Sequence, residues 1–180
     1  MQVGLSPNNI KVSSKDTNGQ LTVFEYIGKE KGGPPLHIHP NQDEIFFIVE
    51  GEYLFQVGKE QYRLKTGDTI FLPRNIPHAF AQTSSSGKLF FMFQPSGKME
   101  DFFRALGALK TQPTPEEGAR IFAAHDMQVV GPPLSFLYFV LKKKRPRFGV
   151  VLFICWLFFL PYVWLAFFRI WNWLLLVIVF

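Results

Sequence analysis

The sequence predicts an all-β fold, a small antiparallel barrel or sandwich that is followed by two short helices and an apolar C-terminal tail. Between residues 10 and 94, short runs rich in β-branched and aromatic residues are separated by turn-forming residues, which is typical of barrels and sandwiches. From residue 98 onward the apolar residues recur at helical spacing. From residue 148 onward, 21 consecutive residues carry no charge.

Seven runs are predicted to form the strands. They are short, and turn residues lie between them: Gly51 tightly connects the second and third runs, and Gly67 lies in the turn before the fifth. The predicted strands are residues 21–28, 44–51, 52–59, 61–64, 69–73, 78–83 and 88–94.

Two helices are predicted after the last strand. Residues 98–109 place their large apolar side chains on one helical face. Those side chains are Met99, Phe102, Phe103, Leu106 and Leu109. The second helix begins after Thr114, an N-cap with a proline next to it and a capping-box glutamate, and it ends near His125. The Gly-Pro-Pro run at 131–133 is expected to break regular structure and to end the domain.

The predicted organisation therefore has four parts. Residues 1–97 form the barrel, residues 98–134 a helical extension, residues 135–147 a basic linker, and residues 148–180 an apolar, membrane-anchoring segment. A single domain with a short appendage is the arrangement expected for 180 residues.

The net charge of +5 does not belong to the whole chain. Residues 1–141 carry 13 basic and 14 acidic residues, whereas residues 142–180 carry six basic residues and no acidic ones. The barrel is therefore not a basic domain, and nucleic acid is not an expected partner. The single cysteine, Cys155, allows no disulfide within one chain.

The stretch HIHPNQDE, residues 37–44, has the composition of a metal site. Side chains two residues apart on a strand point to the same side, so His37 and His39 are expected to face together. Glu44 begins the next strand and can return to the same pocket, and His78 is the candidate for a ligand from a distant strand. Imidazole and carboxylate groups with open positions suit first-row divalent metals.

These residues resemble the two motifs of the cupin superfamily, whose fold is a small double-stranded β-helix, or jelly-roll barrel. The first motif matches at His37, His39, Glu44 and Gly51. The second motif matches at Gly67, Pro73 and His78. The resemblance covers roughly residues 20–95, and by it the metal ligands are His37, His39, Glu44 and His78.

Three positions depart from the motifs without removing a ligand. Lys31 stands where a glycine is expected, Asn75 replaces an internal glycine, and Gln82 replaces the final asparagine. Asparagine tolerates the left-handed backbone conformation better than most residues, so the turn at Asn75 is expected to survive.

Alternation along the strands predicts what lines the substrate pocket. If Glu44 points inward, Phe46 and Ile48 do so as well, and if His78 points inward, Phe80 and Gln82 follow. Such a pocket is mostly apolar and favours an aromatic or apolar small molecule over a free sugar. The alternative is that these aromatic residues only fill the barrel core.

The chain resembles the quercetin-dioxygenase-like cupins in its full ligand set and its two short C-terminal helices. That resemblance implies one divalent transition metal (Fe, Mn, Ni, Cu or Zn), oxygen-dependent cleavage of a small aromatic or enolic substrate, and Glu44 as both ligand and catalytic base. Two other functions stay open, namely a non-catalytic small-molecule-binding or sensing cupin and a metal-dependent isomerase.

Family resemblance also implies a homodimer that pairs through sheet edges, with residues 10–15 as a candidate swapped strand.

The tail has two interpretations. As an anchor, the uncharged run at 148–168 is long enough to cross a bilayer, and the basic residues at 142–147 would place the barrel on the cytoplasmic side. In the other interpretation, the tail is a frame-shifted or fused extension of a protein that ended near residues 131–134.

Removing the tail tests whether the barrel depends on it. A chain that ends at Leu134 is expected to fold and to bind metal, because the predicted strands, helices and ligands all precede that residue. Circular dichroism and thermal unfolding of the truncated protein check this expectation. Loss of cooperative unfolding in the truncated protein would show that the tail belongs to the core.

Overall fold

A computed structural model of the chain describes residues 9–134, which form two antiparallel five-stranded sheets and two helices. The strands are β1 (Ile10–Val12), β2 (Thr22–Gly28), β3 (Pro35–Ile38), β4 (Asp43–Glu50), β5 (Glu52–Val57), β6 (Glu60–Lys65), β7 (Thr69–Leu72), β8 (His78–Gln82), β9 (Gly87–Gln94) and β10 (Gln128–Pro133). The helices are α1 (Met99–Gly107) and α2 (Pro115–Ala124). One sheet has the order β1-β2-β9-β4-β7 and the other has the order β10-β3-β8-β5-β6.

Aromatic side chains fill the space between the sheets. Along β9, Leu89, Phe91 and Phe93 are buried while the residues between them are partly exposed, as the two-residue period of a strand requires. Phe91 stacks on Phe24 of β2 with ring centroids 5.1 Å apart and on Phe46 of β4 at 5.6 Å. The predicted all-β fold is confirmed, and all seven predicted strands are present.

Among the described residues, positive φ angles occur at glycine, at asparagine and at Asp126. Gly51, with φ +92°, joins β4 to β5, and a Cβ there would lie 2.6 Å from Ser84 Oγ. Asn75, with φ +64°, holds the turn between β7 and β8, as predicted for the motif position where a glycine is expected. Its N–H donates to the carbonyl oxygen of His39 at 2.9 Å, so this turn also restrains the chain beyond β3.

The two predicted helices are confirmed, and they are followed by a strand. Thr114 Oγ1 accepts the Glu117 N–H at 3.2 Å, and the Glu117 carboxylate accepts the Thr114 N–H at 2.9 Å, which completes the capping box. The prediction that residues 131–133 break regular structure was wrong, because they belong to β10. Proline lacks a donor N–H but is tolerated on an edge strand, and β10 lies at the edge of its sheet beside β3.

Two further predictions concern parts of the molecule that the described residues do not decide. β1 pairs with β2 of the same chain, and the homodimer with a swapped strand stays a prediction. The basic linker, 135–147, and the apolar anchoring segment, 148–180, lie outside the described residues. Within residues 9–134, neither helix has the length and apolar character needed to cross a membrane.

Glu100 connects the first helix to the start of the barrel. Its carboxylate is almost fully buried and accepts hydrogen bonds from the backbone N–H of Ser14, from Thr22 Oγ1 at 3.2 Å and from Arg104 Nη2 at 2.7 Å. Burial alone would raise the pKa of Glu100, but the bonds from Ser14, Arg104 and Ser13 outweigh it and lower the pKa to about 2.

Replacing Glu100 with glutamine is expected to lower the free energy of unfolding at pH 7 by roughly 2 kcal/mol, because buried donors lose a charged acceptor. A carboxyl with a depressed folded pKa contributes stability above its unfolded pKa and loses it as the pH falls. The wild type should therefore lose this contribution between about pH 4.5 and pH 2, and the variant should lack that component. Chemical denaturation across this pH range measures both effects.

Asp101→Asn is the matched control for this experiment. Asp101 also pairs with Arg104, at 2.9 Å, but its side chain is 72% exposed and the pair is expected to contribute little. Equal destabilisation by the two substitutions would contradict the role assigned to Glu100.

Candidate metal centre

The four residues predicted as ligands come together from both sheets. β3 pairs with β8 in a register that places His37 directly opposite His78. His39 follows the end of β3, and Glu44 lies near the start of β4 in the other sheet. The centre therefore lies between the sheets, where the interior faces of β3, β4 and β8 meet.

Each of these residues offers a ligand atom that lies within 4.8 Å of the other three. The Nε2 atoms of His37 and His39 are 3.1 Å apart, and Glu44 Oε2 lies 3.3 Å from His78 Nε2 and 3.8 Å from His39 Nε2. The four residues are at most 7% exposed. Among the described residues, this is the cluster of histidine and acidic side chains that could hold a metal ion.

Backbone carbonyl groups fix the tautomer of two of the rings. His37 Nδ1 lies 2.8 Å from the carbonyl oxygen of Pro35, and His78 Nδ1 lies 2.9 Å from that of Ile76. A carbonyl oxygen only accepts, so both Nδ1 atoms carry the proton and both Nε2 atoms present a lone pair. These lone pairs are directed into the cluster, which is the tautomer that a metal-ligating histidine needs.

His37 and His39 are held neutral, as metal ligands must be. Burial lowers the pKa of His37 to about 3, the nearby His78 adds to the shift, and the bond to Pro35 opposes it. Burial, with His37 and His78 nearby, holds the pKa of His39 well below its usual value. The contact between His39 and Glu44 is therefore not an ion pair. Burial raises the pKa of Glu44, and His78 opposes that shift.

Unsatisfied atoms in the cluster fit a bound cation. His78 Nε2 is buried and accepts no hydrogen bond within the described residues, although Glu44 Oε2 lies near it. A ring lone pair and a carboxylate oxygen that face each other at 3.3 Å are favourable only when a cation or a proton lies between them. Three imidazole groups and one carboxylate form a donor set that first-row divalent metals accept.

A cavity of about 1270 Å³ reaches the four ligands. Its walls are mostly apolar, which fits the predicted pocket. The aromatic residues along it are Tyr26, Phe46, Phe80, Phe91, Phe93, Phe102, Phe103 and Phe122.

The structure places two of the four predicted pocket residues along this cavity. Phe46 and Phe80 line it. Ile48 and Gln82 do not line it, although both are buried as predicted for inward-facing residues. Gln82 Nε2 donates to the carbonyl oxygens of Gly28 at 3.4 Å and Ser84 at 3.1 Å. Its side chain therefore binds the backbone of the barrel and does not face a bound small molecule.

Sequence reasoning missed the part of the cavity that the helices provide. Every apolar position predicted on one face of the first helix lines the cavity, from Met99 to Leu109, and Phe122 of α2 joins them. The helical spacing was a signal for this face, but it could not show what the face packs against. His125 lies outside the cluster, and its Nδ1 lies 2.8 Å from the carbonyl oxygen of Ile121.

Comparison with known proteins agrees with this geometry. Residues 23–93 match the family model described as "Cupin domain". Quercetin 2,3-dioxygenase of Bacillus subtilis is 29% identical over 100 residues, which cover 56% of this chain and 29% of that enzyme. An uncharacterized protein of Aquifex aeolicus is 31% identical over 95 residues, which cover 53% of this chain and 74% of that protein.

Two solved structures are similar in part of the fold. KdgF from Halomonas sp. is 21% identical, with a TM-score of 0.41, over 43% of this chain and 70% of that one. A double-stranded β-helix protein from Klebsiella pneumoniae is 15% identical, with a TM-score of 0.43, over 48% and 74% of the two chains.

The alignment with the Bacillus enzyme spans less than a third of that protein. With the family match over residues 23–93 and the buried ligand set in place, this chain belongs to the cupin superfamily.

Proposed function

We propose that this cupin binds one divalent transition metal (Fe, Mn, Ni, Cu or Zn) through His37, His39, Glu44 and His78, and that it cleaves a small aromatic or enolic substrate with dioxygen. The observation that carries the proposal is the set of four buried ligand atoms within 4.8 Å of one another at a mostly apolar cavity. The similarity to a quercetin 2,3-dioxygenase supports the choice of oxygenase chemistry.

A bound divalent metal would act as a Lewis acid that polarises an oxygen atom of the substrate. Glu44 would accept the proton of the substrate hydroxyl at Oε2, the oxygen that lies 3.3 Å from His78 Nε2. The raised pKa of Glu44 makes its carboxylate a stronger base than an exposed glutamate.

The walls of the cavity favour a planar apolar substrate. The ring centroids of Phe46 and Phe80 are 5.3 Å apart. Phe91, which pairs with Phe46 in the same sheet, has its ring centroid 5.6 Å from that of Phe46. Aromatic rings bind other aromatic rings in stacked or edge-to-face arrangements, and they exclude water from the reacting atoms.

The two other functions differ from this proposal in what they require of the cavity. An isomerase for a polar substrate would need polar inward residues on β5 and β9, whereas the buried side chains there include Tyr53, Phe55, Leu89, Phe91 and Phe93. A non-catalytic binding cupin would use the same apolar cavity and the same metal, so turnover distinguishes it from the oxygenase.

Elemental analysis of the purified full chain is expected to find about one first-row metal per chain after reconstitution. The double variant His37→Ala, His78→Ala should lose the metal, because it removes two of the four donor atoms. His125→Ala is the matched control, since His125 lies outside the cluster, and it should retain the metal. A wild-type protein that binds no metal under any reconstitution condition would overturn the proposal.

Oxygen uptake by the metal-loaded chain with a panel of flavonols and diketones tests the reaction. We expect uptake with at least one compound and a loss of about 100-fold or more in kcat for Glu44→Gln, because glutamine cannot accept the proton. Metal content is measured in the same samples to separate loss of the base from loss of the metal. Binding of these compounds without oxygen uptake would favour the non-catalytic binding cupin.

A further inference from the structure

The segment that follows the matched cupin domain contributes a side chain that touches the metal centre. The family match ends at residue 93, whereas Phe122 lies on α2. Its ring is buried, and its centroid lies 5.3 Å from that of His37 at an interplanar angle of 76°. Phe122 is therefore in edge-to-face contact with one of the four candidate ligands.

The surroundings of Phe122 hold its ring in place. Phe102 of α1 packs on it edge to face, with centroids 4.9 Å apart and an interplanar angle of 75°. The Phe122 carbonyl oxygen accepts the N–H groups of His125 and Met127, each at 3.0 Å, which ends the helix and turns the chain into β10. The position of Phe122 is thus set by both helices and by the turn that follows them.

The same segment also holds the backbone of His37. Val129 of β10 pairs with His37, and Pro133 pairs with Pro35, whose carbonyl oxygen accepts the His37 Nδ1 proton. The ring has a hydrogen bond to the backbone at Nδ1, while its contacts with His39 and His78 are with other candidate ligands. The bond at Nδ1 alone does not fix the tilt of the ring. Contact with Phe122 restrains that tilt, which decides where the Nε2 lone pair points.

We propose that Phe122 is a positioning residue of the metal centre, which holds the His37 imidazole in the orientation that directs Nε2 at the other three ligands. This inference rests on the proposed metal binding. It assigns to the helical extension a function beyond closing the cavity, since the extension would set the geometry of a site whose ligands all lie in the barrel.

The test is a titration of the full chain with Cu(II), followed by electron paramagnetic resonance, on the wild type and three variants. Phe122→Leu is expected to bind Cu(II) about tenfold more weakly and to give an altered spectrum, as is usual when a partner that orients a ligand is lost. Phe122→Tyr keeps the ring and should restore the wild-type affinity and spectrum.

Phe103→Leu is the matched control. Phe103 is also a buried aromatic residue of the helical extension that lines the cavity, but its ring contacts are with Phe24, Phe91, Phe93 and Phe102 and not with a histidine. It should keep the wild-type affinity and spectrum even if it lowers the melting temperature of the metal-free protein as much as Phe122→Leu does. If Phe122→Leu does not fold, Phe122→Met, which is closer in volume to the wild type, takes its place under the same criteria.

The outcomes separate this inference from the proposed function. A wild-type chain that does not bind Cu(II) overturns the metal site itself. A wild-type chain that binds Cu(II), with Phe122→Leu and Phe103→Leu indistinguishable in affinity and spectrum, overturns the positioning role of Phe122 and leaves the metal site standing.

Discussion

The antiparallel pairing of β3 with β8 is the interaction on which the metal centre depends. It places His37 opposite His78, and this is the single residue pair in register between the two strands. So short a ladder needs support from its surroundings. β10 pairs along the other side of β3, and the N–H of Asn75 binds the carbonyl oxygen of His39 just beyond its end. The segment that carries His37 and His39 is therefore held by backbone hydrogen bonds from β8, from β10 and from Asn75.

Burying this cluster of polar side chains costs free energy. Four polar side chains lie in the interior, and the protein supplies internal acceptors for two of the three rings only. Buried polar groups without partners oppose folding, and a bound cation would satisfy the lone pairs that remain. A site of this kind stays in a folded protein when the surrounding apolar core compensates for it.

Local sequence patterns predicted the strands and the helix cap at Thr114, because each depends on neighbours along the chain or on a two-residue period. The full ligand set was implied by the resemblance to the cupin motifs. Local patterns failed where long-range packing decides the outcome. Ile48 and Gln82 point inward as predicted, but they do not line the cavity. Whether an inward side chain reaches the cavity depends on the packing of the opposite sheet. The strand at 128–133 was missed because its prolines oppose strand structure locally, and its pairing with β3, about 90 residues earlier in the chain, outweighs that preference. The contact between Phe122 and His37 belongs to the same class of long-range information.

The prolines of β10 have a consequence for how copies of this protein meet. An exposed edge strand offers unpaired N–H and C=O groups on which a strand of another molecule can add, and this is a common route to aggregation. Pro132 and Pro133 have no N–H to offer, and the register shifts along β10 bend it away from a regular ladder. Strand addition along β10, at the edge of the sheet that carries three of the four ligands, is thereby disfavoured. The other sheet edges are β1, β6 and β7, all of which lie away from the strand that holds His37.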